Sequence, residues 1–291
     1  MGFEKSYAIH QGPDAPSMDE YTALATGEYL RVLEEARTES PMQVFLESNP
    51  AFVPGATTPG VKSGHDPMHC ALITQPELTG LKSRRPDFLW VASHSAAWFP
   101  TFIEIESPQK RVFTQQGIPS ADFSQARNQL DQWRVWLEDP VNQAKFIREY
   151  GIGETYTRFR VMRPHYVLVY GRRAEFDDDP GLSRQRGVLM GRDDMELVSY
   201  DRLRPSRSLR DAITVRAIGD GRYRVHRVMP TLTLGPNRAD RLPHLEGLED
   251  AIRAESRIPQ ERRAFLASRV DYWTGWARDG GRGTIQTSDV E

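Results

Sequence analysis

Hydrophobic positions recur along the chain with two different periods, and each change of period marks a new element. Tyr21, Leu24, Ala25, Tyr29, Val32, Leu33 and Ala36 mostly keep three- and four-residue spacings, which predicts an amphipathic helix. A shorter helix is predicted over 41–47, with Ser40 as N-cap, Pro41 at the first helical position and Asn49-Pro50 as its end. Residues 54–67 are rich in Pro, Gly, Thr and Ser and read as a loop. Three apolar runs follow, at 69–75, 86–93 and 99–106, which read as strands of an antiparallel meander. From Ser120 to Glu138 the period returns to helical, with Phe123, Ala126, Leu130, Trp133 and Leu137 on one apolar face. Pro140 breaks that helix, and a second one runs to about Tyr150, closed by Gly151 and Gly153.

Further along, Arg158, Arg160 and Arg163 punctuate an alternating stretch that reads as a strand with one basic face. Residues 166–170 are almost continuously apolar, as a central, doubly covered strand requires. A helix over 180–192 and a strand over 195–200 come next. Beyond residue 205, the runs 213–217 and 223–228 flank Gly219-Asp220-Gly221, whose Asp-Gly pair predicts a hairpin. Helices around 245–254 and 259–277 close the pattern, and the polar residues 280–291 read as disordered. This order predicts an α/β chain with a mixed sheet, divided into an N-terminal helical region (1–60), a core (61–204) and a C-terminal hairpin-and-helix extension (205–291).

Composition narrows the function classes. A net charge of −2 gives no global basic field, so any nucleic-acid contact has to be local. The basic residues are 33 arginines against 5 lysines, and the planar Arg fork suits phosphate contact. One cysteine, Cys70, excludes an intrachain disulfide and a multi-cysteine zinc site, and points to a reducing cytoplasm. No apolar run reaches the length of about 18 residues that a membrane span needs, so no membrane partner is expected. His65, Asp66, His69 and Cys70 have ligand-like chemistry, but without a second cluster they read as a polar loop entering a strand.

Candidate chemistry centres on Phe102-Ile103-Glu104-Ile105-Glu106-Ser107-Pro108. Side chains alternate across a strand, so Glu104 and Glu106 share one side while Thr101, Ile103 and Ile105 form the apolar side. Asp87, in Arg85-Pro86-Asp87-Phe88, starts the preceding strand. Neighbouring strands lie about 4.8 Å apart, so Asp87 and Glu104 can share one ion if their strands pair in that register. Magnesium, or manganese, takes hard oxygen ligands and keeps several waters. Asp87, Glu104 and the Ile105 carbonyl, beside a solvent-facing Glu106, form such a set. Gln129, four residues before Trp133, borders the apolar face of its helix, and a buried amide there needs a partner.

This arrangement resembles the PD-(D/E)xK nuclease superfamily, with Gln129 and Trp133 similar to the Gln-x-x-x-Tyr element of some members. A closer likeness covers residues 40–204. Phe45-Leu46-Glu47-Ser48-Asn49-Pro50, the run from Ile103 to Pro108, Lys110, Phe113-Thr114, Gly117, Pro119-Ser120-Ala121, Gln129, Trp133, Trp136, residues 167–173 and Tyr200-Asp201-Arg202-Leu203 resemble the nuclease domain of the Shedu anti-phage family. The resemblance implies a restriction-endonuclease-like core, magnesium-dependent DNA cleavage in phage defence, and a homo-oligomer. It also implies that Asp87 and Glu104 ligate the ion, and that Glu47 supplies the further acid that many superfamily members bring from the preceding helix. Glu106 stands where the superfamily usually has Lys, so it would act as base or ligand, with Lys110 able to swing in from the loop. A chain that lost cleavage with that Lys and only binds DNA or scaffolds an assembly is the competing expectation.

Overall fold

The computed structural model describes residues 6–57, 66–80, 85–177, 179–189, 192–283 and 289–291, so His65 lies outside the described part. Two helices open the chain: α1 (Met18–Glu35) and α2 (Ser40–Ser48). Ser17 caps α1 in a reciprocal box with Glu20, satisfying donors that the first turn leaves free. The three predicted strands follow as β1 (Ala71–Thr74), β2 (Phe88–Ser93) and β3 (Ala97–Ile105), paired antiparallel in sequence order. Then come α3 (Ala121–Glu138), α4 (Pro140–Glu149) and the single turn α5 (Glu154–Thr157). Ser120 caps α3 and Asp139 caps α4, so the break at Pro140 is also a helix start.

Strands β4 (Val161–Met162) and β5 (His165–Val169) both run parallel to β3, one after the other along the same edge. The basic-faced strand expected over 158–163 is therefore only the two residues of β4. Arg158 is still in helical geometry at the end of α5, and Pro164, which lacks an N–H, separates β4 from β5. After α6 (Pro180–Leu189), strand β6 (Met195–Val198) adds to β5. The C-terminal segment forms the hairpin β7 (Ile213–Gly219) and β8 (Arg222–Val228), a short β9 (Leu245–Glu246), and helices α7 (Leu248–Ala254) and α8 (Gln260–Arg278).

All nine strands among the described residues belong to one mixed sheet, ordered β6-β5-β3-β2-β1-β7-β8-β9, with β4 also on β3. β7 pairs parallel with β1, so the segment beyond residue 205 continues the sheet of the core. One face packs against α3, α4, α7 and α8 through Leu89, Phe102, Leu130, Trp133, Phe146 and Trp273. The other packs against α1 and α2 through Tyr29, Leu33, Phe45, Phe88, Ile103 and Ile105. β3 is buried over all nine residues, which explains its apolar composition on both sides.

The end of the chain differs from expectation. Residues 289–291 are pinned: Glu291 is buried and its carboxylate accepts from Arg269 and Trp273 at 2.8 Å. Residues 284–288 of the expected disordered tail lie outside the described part. Among the described residues no helix is long and apolar enough to cross a membrane.

Phe102 is fully buried and packs on Tyr166, Trp133 and Phe146. Phe102→Ala should lower unfolding free energy by about 3–5 kcal/mol, read from urea denaturation.

Candidate active site

Three elements end at one place: β3 at its C-terminal end, β2 at its first residues, and the turn into α2. Phe88 pairs with Ile103, so one further step of that register sets Asp87 opposite Glu104 on the face that packs against α3. The carboxyls of Asp87 and Glu104 hydrogen-bond to each other. Asp87 also anchors β3 directly, since the Ile105 N–H donates to its Oδ2 at 2.8 Å. Ile105 thus reaches the pair through its amide.

Burial dominates the electrostatics of this pair. Glu104 is 4% exposed and its Oε2 has no hydrogen-bond partner among the described residues. Desolvation pushes Asp87 up to about 8 and Glu104 well above the ordinary carboxylate range. The charges of Glu106 and Glu39 raise both further, while the Ile105 amide pulls Asp87 back. Two carboxyls so placed hold a proton between them when no cation is present.

Glu39 is the acid that sequence reasoning missed. The expected cap, Ser40, is instead the first residue of α2, and Glu39 precedes it with helical dihedrals and no side-chain capping bond. The Glu39 charge acts on Asp87, Glu104 and Tyr200. The signal was an acid before Ser-Pro at a helix start, a place where negative charge is common for the helix dipole alone. Glu47 is not brought to the pair. It accepts from Thr74 Oγ1 at 2.6 Å and Gln43 Nε2 at 3.0 Å, and Thr74 projects from the sheet face covered by α1 and α2.

Glu106 was expected to face solvent, but it is 5% exposed. Its burial follows from the loop above it, where Lys110 Nζ lies 2.7 Å from Glu106 Oε2. Lys110 itself is about one-third exposed. That loop is fixed from several sides. Ser107 Oγ donates to the Arg37 carbonyl, Gln109 Nε2 to the Ala36 carbonyl, and the Val112 and Phe113 amides to Glu175. Gly171, at φ 63°, comes so close that a Cβ there would meet the Lys110 carbonyl at 2.7 Å, so only glycine fits. Beneath the loop, Tyr29 donates to the Tyr200 carbonyl and Tyr200 to the Glu106 carbonyl, both at 2.6 Å. A hydrogen-bond chain thus runs from α1 to the acidic end of β3.

Gln129 is buried, and neither its Oε1 nor its Nε2 has a partner among the described residues. Phe123 packs on Tyr170 and Trp133 on Phe102, so α3 runs back along the strands from their C-terminal ends. Four helix residues rise about 6 Å and two strand residues about 6.6 Å. Gln129, one turn before Trp133, is therefore level with Glu104, two residues past Phe102. Two unsatisfied buried polar groups at one level mark a place built for a further polar occupant. Trp133 and Trp136 are packing residues.

The other candidates divide cleanly. Arg172 pairs with Glu34 at 2.9 Å and Asp201 at 3.0 Å, and Asp201 also accepts from the Arg173 amide, a structural knot. Arg158 and Arg160 stack on Phe159 and Tyr156. His69 stacks on His244, and among the described residues no group of three or more His, Cys, Asp and Glu is arranged to hold a metal ion. Glu106 is drawn to Lys110, which leaves Asp87 and Glu104 as a two-carboxyl oxygen donor set. That number suits magnesium, which commonly takes one or two carboxylates.

The raised carboxyls carry a pH signature. Protons bound in the folded but not the unfolded state stabilise the fold below the unfolded value, and that stability is lost as pH rises through the folded value. In EDTA the chain should lose stability between about pH 4 and pH 8, the span from an ordinary Asp to the raised Asp87. Asp87→Asn should flatten that slope, measured by urea melts at several pH values; equal slopes would refute the assignment.

The geometry above lies within a stretch that matches a known family. The family described as Shedu protein SduA, C-terminal, matches residues 36–203, more than half of the 291 residues. No curated protein matches the chain. The matched stretch runs from the turn before Glu39 to the end of the Tyr200 segment and so contains every element of the acidic site. The chain belongs to the Shedu protein SduA C-terminal family.

Proposed function

We propose that the chain is a magnesium-dependent DNA endonuclease of the PD-(D/E)xK type. Membership of the family suggests an anti-phage defence role. The observation that carries the catalytic reading is the buried Asp87–Glu104 pair, with Glu104 Oε2 unsatisfied and the unpartnered Gln129 amide at its level. The donor set fits the ion: hard carboxylate oxygens, buried, and charged only when something positive replaces their shared proton. Asp87 and Glu104 would hold it, and the Glu39 charge adds to the attraction.

When bound, magnesium neutralises phosphate charge and supplies an acidified water. The chain's own residues divide the remaining work. Asp87 fixes the strand end through the Ile105 amide, which keeps Glu104 in place. Glu106 would accept a proton from an attacking water, and Lys110, paired with it at 2.7 Å, would steady its negative charge. Lys110 also brings a cation to the level at which the superfamily strand carries its own lysine. The reading of a quiet, non-cleaving descendant rested on the missing cation, and the Glu106–Lys110 pair weakens it. Assembly into a homo-oligomer belongs to the same proposal.

Cleavage of plasmid DNA with magnesium or manganese tests this. Asp87→Ala and Glu104→Ala should abolish it. Lys110→Ala should slow it about 100-fold, the scale of one proton-transfer contribution. Glu106→Lys should retain more activity than Glu106→Ala. A folded chain that never cuts DNA with either metal would overturn the reading.

A further inference from the structure

A cavity of about 250 Å³ opens at the corner where the end of α3 meets the starts of β5 and β6. Tyr166, which lines it, comes two residues before Leu168, the partner of Glu104, so the cavity lies toward the opposite end of β5 from the acidic pair. Tyr166 is fully buried, and its hydroxyl has no hydrogen-bond partner among the described residues. Its ring is held in place: Phe102 stacks beside it at 5.6 Å between centroids, and the Arg134 guanidinium lies over it at 4.8 Å. Burial pushes the phenol well above its usual value, so it stays a hydrogen-bond donor. After desolvation, the groups that act on it are Arg134, Asp194, Glu138 and Arg192, and all four line the cavity, which puts the hydroxyl end there. A buried hydroxyl without a partner marks a place for an occupant that can accept its hydrogen bond.

The charges around the hydroxyl are not equally free. Arg134 donates from Nε and Nη2 to the two Asp194 oxygens at 2.9 and 3.1 Å, and from Nη1 to Asp131. Arg192 lies 3.6 Å from the same Asp194 carboxylate. A phosphate would therefore meet a committed Arg134 and two carboxylates. Glu138 is exposed at the rim and makes no hydrogen bond or ion pair among the described residues. Leu137, Met162 and Pro164 supply apolar wall. The volume falls below the roughly 300–1,000 Å³ of sites for drug-sized ligands. Apolar walls, one free carboxylate and one phenol donor suit a small flat molecule whose edge offers two neighbouring N–H groups and then an acceptor. Among the bases, guanine alone has that edge. Adenine sets one donor beside an acceptor, cytosine one donor before two acceptors, and uracil or thymine a donor between two acceptors.

We propose that this cavity binds a guanine base, with Glu138 accepting from its paired N–H groups and the Tyr166 hydroxyl donating to its carbonyl. The site stands apart from the nuclease reading, since none of these residues belongs to the acidic centre. Helix α3 joins the two places, carrying Gln129 toward the acidic pair and Arg134 to the cavity.

Isothermal titration calorimetry in EDTA, with guanosine monophosphate as the probe, measures binding without any cleavage. The adenosine, cytidine and uridine monophosphates should bind at least about tenfold more weakly. Tyr166→Phe removes one hydroxyl and keeps the ring, so it should weaken guanosine monophosphate about tenfold while leaving the urea midpoint unchanged or raised, because an orphaned donor disappears. Glu138→Gln replaces two acceptors by one acceptor and one donor. It should weaken guanosine monophosphate about tenfold or more and strengthen adenosine monophosphate, a reversal that mere loosening of the cavity would not produce. A short single strand carrying one guanine, titrated beside the free monophosphate, tells whether the base arrives on a strand or as a free nucleotide; binding of either through Tyr166 and Glu138 supports the site. Failure of both guanine probes to bind, or equal affinity in the unmodified chain and both variants, would overturn the proposal.

Discussion

Two carboxyls buried against each other at the end of a fully covered strand set the terms for the rest of this structure. Desolvation alone makes their charged forms costly, and Asp87 raises Glu104 further while the hydrogen bond from Glu104 offsets part of the rise at Asp87. Such a pair persists only where the surroundings over-determine it. Here Asp87 is tied to β3 by the Ile105 amide, β3 is paired on both sides, and both sheet faces are covered by helices. An apolar replacement of similar volume would serve the core as well or better. The proposed metal-dependent function supplies a reason to keep two acids there, since such a centre exchanges a proton for a cation.

The N-terminal helices are more than a cover. Through Tyr29 and Tyr200, α1 holds the Glu106 carbonyl, and the turn between α1 and α2 holds Ser107 and Gln109. The same turn delivers Glu39 to the pair. Removing this layer would therefore loosen the acidic end of β3 and the lysine loop together, because they share its hydrogen bonds. The opposite layer contributes α3, whose packing on Phe102 and Tyr170 sets the level of Gln129.

Strand and helix positions were legible wherever one period ran long enough, as in α1, α3 and the hairpin. So was the carboxyl pair, because Asp87 and Glu104 sit at strand ends that a simple meander brings together. Glu47 and Glu39 show where legibility stopped. Both are acids on or beside one short helix, and only three-dimensional placement tells which end of α2 meets the sheet edge. The burial of Glu106 was hidden for a similar reason: it depends on a loop fixed by residues 36, 37, 171 and 175, far away in sequence. Parallel pairing of β7 with β1 was equally invisible, since no local signal links strands about 140 residues apart.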